Sequence, residues 1–474
     1  MVKILHLSDI HLGSGFAHGR INPTTGLNTR LEDFVNSLSL ALDRAIAEPV
    51  DLVLFGGDAF PDATPPPYIQ EAFASQFRRL VDAQIPTVLL VGNHDQHTQG
   101  QGGASLCIYR TLGVPGFIVG DRLETHAIPT RQGLVQVVTL PWLTHSTLFT
   151  RPEMEGLSLG EVNQQLLDRL AIALEGEIRQ LDPRYPSILL AHAMVDTAKY
   201  GAERYLAVGK GFTLPLGLLT RRCFDYVALG HVHRHQVLCA DPPIIYAGSL
   251  DRVDFSEEKE DKGFVLIEIP TPTPDSPTPP RYQFCPLPVR PFKTLRVDVS
   301  QAEHPQAVLL QAIAQADIAG AIVRVIYPIH SSQLGAIDLP TLREALALAH
   351  SYTIQPELVT QGANSRLPEL GEGRDLSPLD ALKAYVDHQP DLSPIAEDML
   401  EAARSLWQGD SPSPWASATS APPSSGHSVQ EAPAPLYQVP PMEPDRVWGS
   451  GEMPLGEATP LPPHPDPDTQ LQLL

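Results

Sequence analysis

Residues 1–13, MVKILHLSDIHLG, run an apolar stretch straight into two residues of metal-ligand type, Asp9 and His11. The same grammar returns four more times along the first half of the chain. FGGDAF (55–60) carries Asp58, VGNHD (91–95) carries Asn93, His94 and Asp95, LLAHAM (189–194) carries His192, and LGHVHRH (229–235) carries His231 and His233. Each ligand-type residue stands where an apolar, β-rich run gives way to a loop, and an α/β sheet places its ligands at such strand ends. An Asp able to bridge two ions, with the others in order around it, points to binuclear phosphoester hydrolysis.

Working outward, residues 1–290 alternate between strand and helix patterns. Strands are expected at Lys3–Leu7, Leu52–Phe55, Thr87–Val91, Gly133–Leu140, Ser187–Ala191, Tyr226–Leu229, Ile244–Ala247 and Gly263–Ile269. Several are continuously apolar, as strands buried on both faces must be. Helices are expected at Arg30–Ala47, Tyr68–Ala83, Gly103–Leu112 and Leu159–Arg179. In the first, Leu31, Phe34, Val35, Leu38, Ala41, Leu42 and Ala45 recur at helical spacing. The prolines of IPTPTPDSPTPPRY cannot donate to a ladder and mark an exposed loop or strand connection.

Beyond it, residues 291–365 read strand–helix–strand–helix–strand, a small unit of its own. Residues 366–408 contain two short amphipathic helices, with Ser377 and Ser393 as N-caps and a stripe of Ile395, Met399, Leu400, Ala403 and Leu406. That stripe packs on its own domain or docks a partner helix. From Gly409 the chain is rich in Pro, Ser, Ala and acid and lacks the apolar density for a core, so it is expected to be disordered.

The chain has 474 residues, enough for two or more cores, and no run long enough to cross a bilayer. Because Asp9 and His11 lie so near the N-terminus, a cleaved leader would remove them, and a cytoplasmic location is expected. Four scattered cysteines without a CxxC pair argue against a disulfide framework or a zinc–thiolate site. The net charge of −22 is awkward for a free-standing DNA binder, since phosphate affinity comes from Lys and Arg. If DNA is the substrate, a partner is expected to supply basic surface.

Phosphodiesters resist attack because attacking and leaving oxygens are both negative. Two divalent ions about 3.5–4 Å apart clamp both oxygens and make hydroxide near neutral pH. A carboxylate suits the ligand shared by both ions, and Asp58 is the natural choice. Mixed oxygen and nitrogen ligands suit Mn2+ first, with Fe and Zn2+ as alternatives. Taken singly, DxH and GD are more often turns. GNHD is sharper: Asn93 offers a neutral carbonyl oxygen and His94 can donate a proton. In GHVH, His231 and His233 lie two apart and face one side of an extended chain. His235 and His97 read as non-ligating.

The series DxH, GD, GNHD, H, GHxH resembles the signature of the calcineurin-like metallophosphoesterase superfamily. The resemblance implies a four-layer α/β sandwich, with Asp9, His11, Asp58 and His233 as ligands of one metal and Asp58, Asn93, His192 and His231 as ligands of the other. It makes His94 the catalytic histidine and Asp95 the residue that orients it. YAGSLDRVDFSEEKEDKGF (246–264) further resembles the GS-x-x-R-x-D-F-x-E-x-x-x-x-K-G-F stretch of SbcD-type DNA-repair nuclease subunits. That likeness implies cleavage at DNA ends or hairpins in double-strand-break repair, a capping domain at 291–365 that contacts DNA, and residues 366–408 as the segment that binds an SbcC-like coiled-coil ATPase. It also implies a homodimer within a heterotetramer, with Arg30–Ala47 and Tyr68–Ala83 as candidate interface helices. One departure stands out. These relatives often have His after the second motif, as GD-x-x-H, linked to exonuclease action; this chain has Pro61, with His18 and His97 as the candidates to replace it. The alternatives are a stand-alone phosphoesterase acting on nucleotides or phosphoproteins, which shares every ligand, and a binding module on the same scaffold.

Overall fold

The computed structural model describes residues 1–96, 103–144, 159–201, 213–270, 279–359, 378–387, 392 and 395–408. The expected N-caps Ser377 and Ser393, His97, most of the proline-rich break and the tail from 409 lie outside them. The chain divides into two compact units, Met1–Arg366 and Leu367–Leu474.

The first unit is built on two six-stranded sheets. In chain order the strands are β1 (Val2–Leu7), β2 (Leu52–Phe55), β3 (Thr87–Leu90), β4 (Phe117–Gly120), β5 (Glu124–Thr130), β6 (Gly133–Leu140), β7 (Ser187–His192), β8 (Met194–Val195), β9 (Thr213–Leu214), β10 (Tyr226–Gly230), β11 (Gln236–Ala240), β12 (Pro243–Tyr246), β13 (Gly263–Ile269) and β14 (Arg281–Pro286). One sheet runs β14-β13-β1-β2-β3-β4 and the other β11-β12-β10-β7-β6-β5, while β8 and β9 pair separately. The central ladders β1–β2–β3–β4 and β12–β10–β7–β6 are parallel, and antiparallel strands close the edges at β13, β14, β11 and β5.

The continuous apolar runs follow from this stacking. Successive side chains of a strand point to opposite faces. In β1 and β2, Ile4, Leu52 and Leu54 enter the layer between the sheets, while Leu5, Leu7, Val53 and Phe55 pack under the helices Thr29–Ala47 (α1) and Pro67–Asp82 (α2). On the far side, Leu166, Leu170 and Leu174 of the helix Leu159–Ile178 cover β7 and β10 through Leu189, Val227 and Leu229. Helix, sheet, sheet, helix is the expected four-layer sandwich.

The strands missed by pattern are mostly edges. ETHAIPT of β5 and QVLCA of β11 are largely half-exposed and lack an apolar run, so neighbours rather than propensity make them strands. The helix expected at Gly103–Leu112 is only Cys107–Thr111.

Within the first unit, the strand–helix–strand–helix–strand order read from the sequence is present: β15 (Phe292–Arg296), helix Pro305–Gln315, β16 (Ile322–Ile329), helix Leu339–Ala345 and β17 (Ser351–Leu358), its strands parallel in the order β15-β16-β17. It has its own core around Val323, Val325, Leu309 and Leu342. Phe255 joins Phe292 and Ile322 in a further cluster that fixes this sheet to the segment after β12. Arg290 donates to both carboxylate oxygens of Asp33 on α1, at 2.6 and 2.7 Å. In the second unit, helices Pro378–Asp387 and Ala396–Gln408 form.

Candidate metal centre

The ligand-type residues sit at the C-terminal ends of β1, β2, β3, β7 and β10, and the backbone there is unusual. Asp9, His11, Asp58 and His231 have φ of 51°, 47°, 58° and 103°. Non-glycine residues seldom adopt this left-handed region, and such strain collects at functional sites. The glycines of the motifs have a steric reason. A Cβ on Gly92 would lie 2.1 Å from Asp58 Oδ1, and one on Gly230 would lie 2.1 Å from the carbonyl oxygen of Gly56. Only bare backbone lets the loops after β2, β3 and β10 approach this closely.

The seven expected ligands converge. His11 Nε2 lies 3.0 Å from His233 Nε2 and 3.6 Å from Asp58 Oδ2. On the other side of Asp58, His192 Nε2 lies 3.4 Å from the same oxygen. Asn93 Oδ1 sits 2.9 Å from both His192 Nε2 and His231 Nδ1. Asp9 accepts the main-chain N–H of His231 and the hydroxyl of Ser8. Asp9, His11 and His233 are close enough together to hold one cation, Asp58, His192 and His231 another, and His11, Asp58 and His94 form a third such group between them.

The donor set fits cations. Two imidazole nitrogens facing each other at 3.0 Å need a proton or a cation between them. Burial disfavours charge on both His192 and His233, yet the negative charge of Asp58 raises His192 to about 9 and that of Glu257 raises His233 to about 9. Burial likewise favours a neutral Asp58, but the charge of His192 and its hydrogen bond hold that carboxyl well below the ordinary range. The pocket therefore gathers positive charge when only protons are present to supply it.

His94 and Asp95 divide their work differently from the resemblance. His94 Nδ1 meets the carbonyl oxygen of Pro61 at 2.7 Å, and its main-chain N–H donates to Asp58 Oδ1 at 2.9 Å. Asp95 does not orient the His94 ring. Its carboxylate accepts the amides of Gly92 and Asp58 at 2.9 Å and of Ala59 at 3.0 Å, fixing the loop that presents Asp58. Burial pushes this carboxyl up to about 7, the charge of Asp58 adds to that, and the amides of Gly92 and Ala59 pull back.

Sequence reasoning missed two residues here. Trp142, just past β6, stacks on His231 with ring centres 4.8 Å apart. Glu257 takes His233 Nδ1 at 2.6 Å. Glu257 stood inside the quoted SEEKEDK stretch, but nothing in the string marks it as buried. His18 is at a different place, edge-on to Phe255 and Phe292. His235 stacks on Phe284 and does not ligate. No helix among the described residues is long and apolar enough to cross a membrane.

The profile of the calcineurin-like phosphoesterase family matches residues 2–235. Among solved structures, a dimetal phosphatase from Danio rerio is 14% identical over 56% of this chain and 92% of its own, with a TM-score of 0.34. The phosphopantetheinyl hydrolase from Mycobacterium tuberculosis is 13% identical over 52% and 88%, with a TM-score of 0.29. Purple acid phosphatase PPD1 from yellow lupin, Lupinus luteus, is 16% identical over 56% and 49%, with a TM-score of 0.31. Residues 2–235, which hold every candidate ligand, match the calcineurin-like phosphoesterase family, and the chain is a metal-dependent hydrolase.

Proposed function

We propose that the protein is a Mn2+-dependent DNA nuclease subunit that hydrolyses phosphodiester bonds at DNA ends or hairpins in the cytoplasm, alongside a coiled-coil ATPase of the SbcC type. The observation that carries the reading is the segment 246–264 with the three-stranded sheet seated on it. Phe255 from that segment enters a cluster with Phe292 and Ile322, so the piece of sequence that resembles the DNA-repair nucleases also anchors an added βαβαβ unit. A phosphoesterase for small substrates has no need of either. The helices Pro378–Asp387 and Ala396–Gln408 supply a candidate docking segment for the ATPase.

Asp9, His11, Asp58 and His233 would hold one cation, and Asp58, Asn93, His192 and His231 the other. Two such ions supply hydroxide at neutral pH and offset charge on the phosphate. The chain's own part is to fix and protonate. Asp95 holds the loop of Asp58 through three amides. The Pro61 carbonyl takes the Nδ1–H of His94 and turns Nε2 outward, so the ring gives a proton from Nε2 to the departing oxygen only as the doubly protonated imidazolium, which that transfer returns to the neutral Nδ1–H form.

A stand-alone phosphoesterase is the second reading, and a specific observation favours it. The charged residues Asp251, Glu257 and Lys262 of the diagnostic segment are buried, so they offer no surface to a DNA backbone. The deciding experiment is a Mn2+ cleavage assay on linear, hairpin and circular DNA, with and without the ATPase, run beside nucleotide monophosphates. Hairpin or internal cuts without exonucleolytic ladders fit the nuclease reading with Pro61. Hydrolysis of the nucleotides with DNA left intact would overturn it in favour of the second.

A further inference from the structure

The two outer histidines of the centre differ in what stands behind them. His192 turns Nδ1 to a neutral acceptor, the main-chain carbonyl of Gly56, at 2.7 Å. His233 turns Nδ1 to a carboxylate oxygen of Glu257 at 2.6 Å. A carboxylate only accepts, so a proton sits on Nδ1 of His233 and Nε2 is the nitrogen that faces the cluster with His11 and Asp9. Glu257 is itself fixed. Its side chain is 6% exposed, and its second oxygen takes the Lys262 ammonium at 2.9 Å and the Val253 amide at 2.9 Å. Lys262, wholly buried, also donates to the main-chain carbonyl of His233 at 3.0 Å, gripping the same residue from behind. Arg252 closes the brace by donating to the carbonyls of Glu257 and Glu260, at 3.2 and 2.8 Å.

We infer that Glu257 is a positioning residue that acts through His233 and makes the cation site of Asp9, His11, Asp58 and His233 the tighter of the two. The inference rests on the two-cation reading above. A charged partner does two things that a neutral carbonyl does not do together: it fixes the imidazole's tautomer and rotamer, and it raises the basicity of the nitrogen that faces the metal. Partners of this kind are typically worth about 10–100-fold in metal affinity. Within segment 251–262, Arg252, Glu257 and Lys262 thus converge behind one ligand of one site.

The test is calorimetric titration of the full chain with Mn2+ alone, comparing the native protein with Glu257→Gln and Glu257→Asp. Glu257→Gln keeps an acceptor but loses the charge, and should weaken the tighter site about 10–100-fold while leaving the weaker constant unchanged. Glu257→Asp keeps the charge, withdraws it by one methylene, and should fall between. Equal losses at both sites, or none at either, would overturn the inference. An unaltered protein that takes up no cation would sink the two-cation reading instead. Should the variants fail to fold, 15N-histidine spectra of the native Zn2+-loaded protein decide the matter. A downfield, slowly exchanging Nδ1 proton on His233 is expected, and its absence overturns the proposal.

Discussion

Nδ1 of His94 lies 2.7 Å from the carbonyl oxygen of Pro61. A carbonyl cannot donate, so the ring must, and Nε2 is the nitrogen left facing outward. The bond runs to main chain, which explains how a proline can occupy this place without releasing the histidine. His94→Ala should therefore lower kcat by about 10²–10⁴-fold, the usual worth of a positioned acid, with both cations retained. Pro61→Ala keeps the carbonyl and should cost little. Turnover of bis(p-nitrophenyl) phosphate, measured beside Mn2+ stoichiometry, checks both. Native turnover in His94→Ala would remove His94 from the mechanism.

Asp95 tests whether the loop of Asp58 is held as tightly as its three amides suggest. Asparagine has one acceptor oxygen, and its NH2 would face a buried N–H donor. Leaving such a donor unpaired costs about 1–3 kcal/mol. Asp95→Asn should lower the urea midpoint accordingly with the slope unchanged. Since Asp58 rides on that loop, Mn2+ affinity should fall as well. A variant as stable as the native chain would mean that the loop is held by something else.

Much of the sandwich and of the candidate ligand set could be read from the string, because both depend on local signals. Leu5 and Ile4 alternate between two buried layers, and Asp9 and His11 follow within one loop. What escaped reading depends on distant partners. Edge strand Glu124–Thr130 is defined by its ladder to Gly133–Leu140, not by its own composition. Asp95 and Glu257 are acids whose roles come from what faces them across the fold, amides in one case and a histidine in the other. A sequence shows a carboxylate; only the packing shows which way it turns.

Arg30 illustrates the same point at the base of the small sheet. It is fully buried, donates to Asp33 at 2.7 Å, to Asp251 at 3.1 Å and to the Arg252 carbonyl at 2.7 Å, and lies over the rings of Phe34 and Phe292. Removing it leaves Asp251 a buried charge whose remaining partners, the Ser37 hydroxyl and the Arg252 amide, are neutral. Arg30→Met should cost about 3–5 kcal/mol, the usual penalty for breaking a buried pair from one side. The double change Arg30→Met with Asp251→Leu takes out both charges and should be less damaging than the single. If the double variant proves worse in chemical denaturation, the pair is net stabilising and the premise fails.

The last prediction concerns pH. In the cation-free protein His192 and His233 are both held up to about 9 from an ordinary 6.5. A raised histidine pKa contributes stability that is complete below the unfolded value and is lost as pH climbs through the folded one. With a chelator present, the melting temperature should accordingly fall between pH 6.5 and pH 9. Cations reverse the dependence. Each ion must displace a proton from one of these rings, so affinity should rise by about tenfold per pH unit for each proton released, and level off above 9. The Mn2+-loaded protein has no such protons to lose and should melt at a nearly constant temperature across the window. Melting curves with chelator and with Mn2+ at both ends of the range distinguish the cases. Stability that stays level between pH 6.5 and pH 9 in chelator would show that neither histidine is held up before the metals arrive.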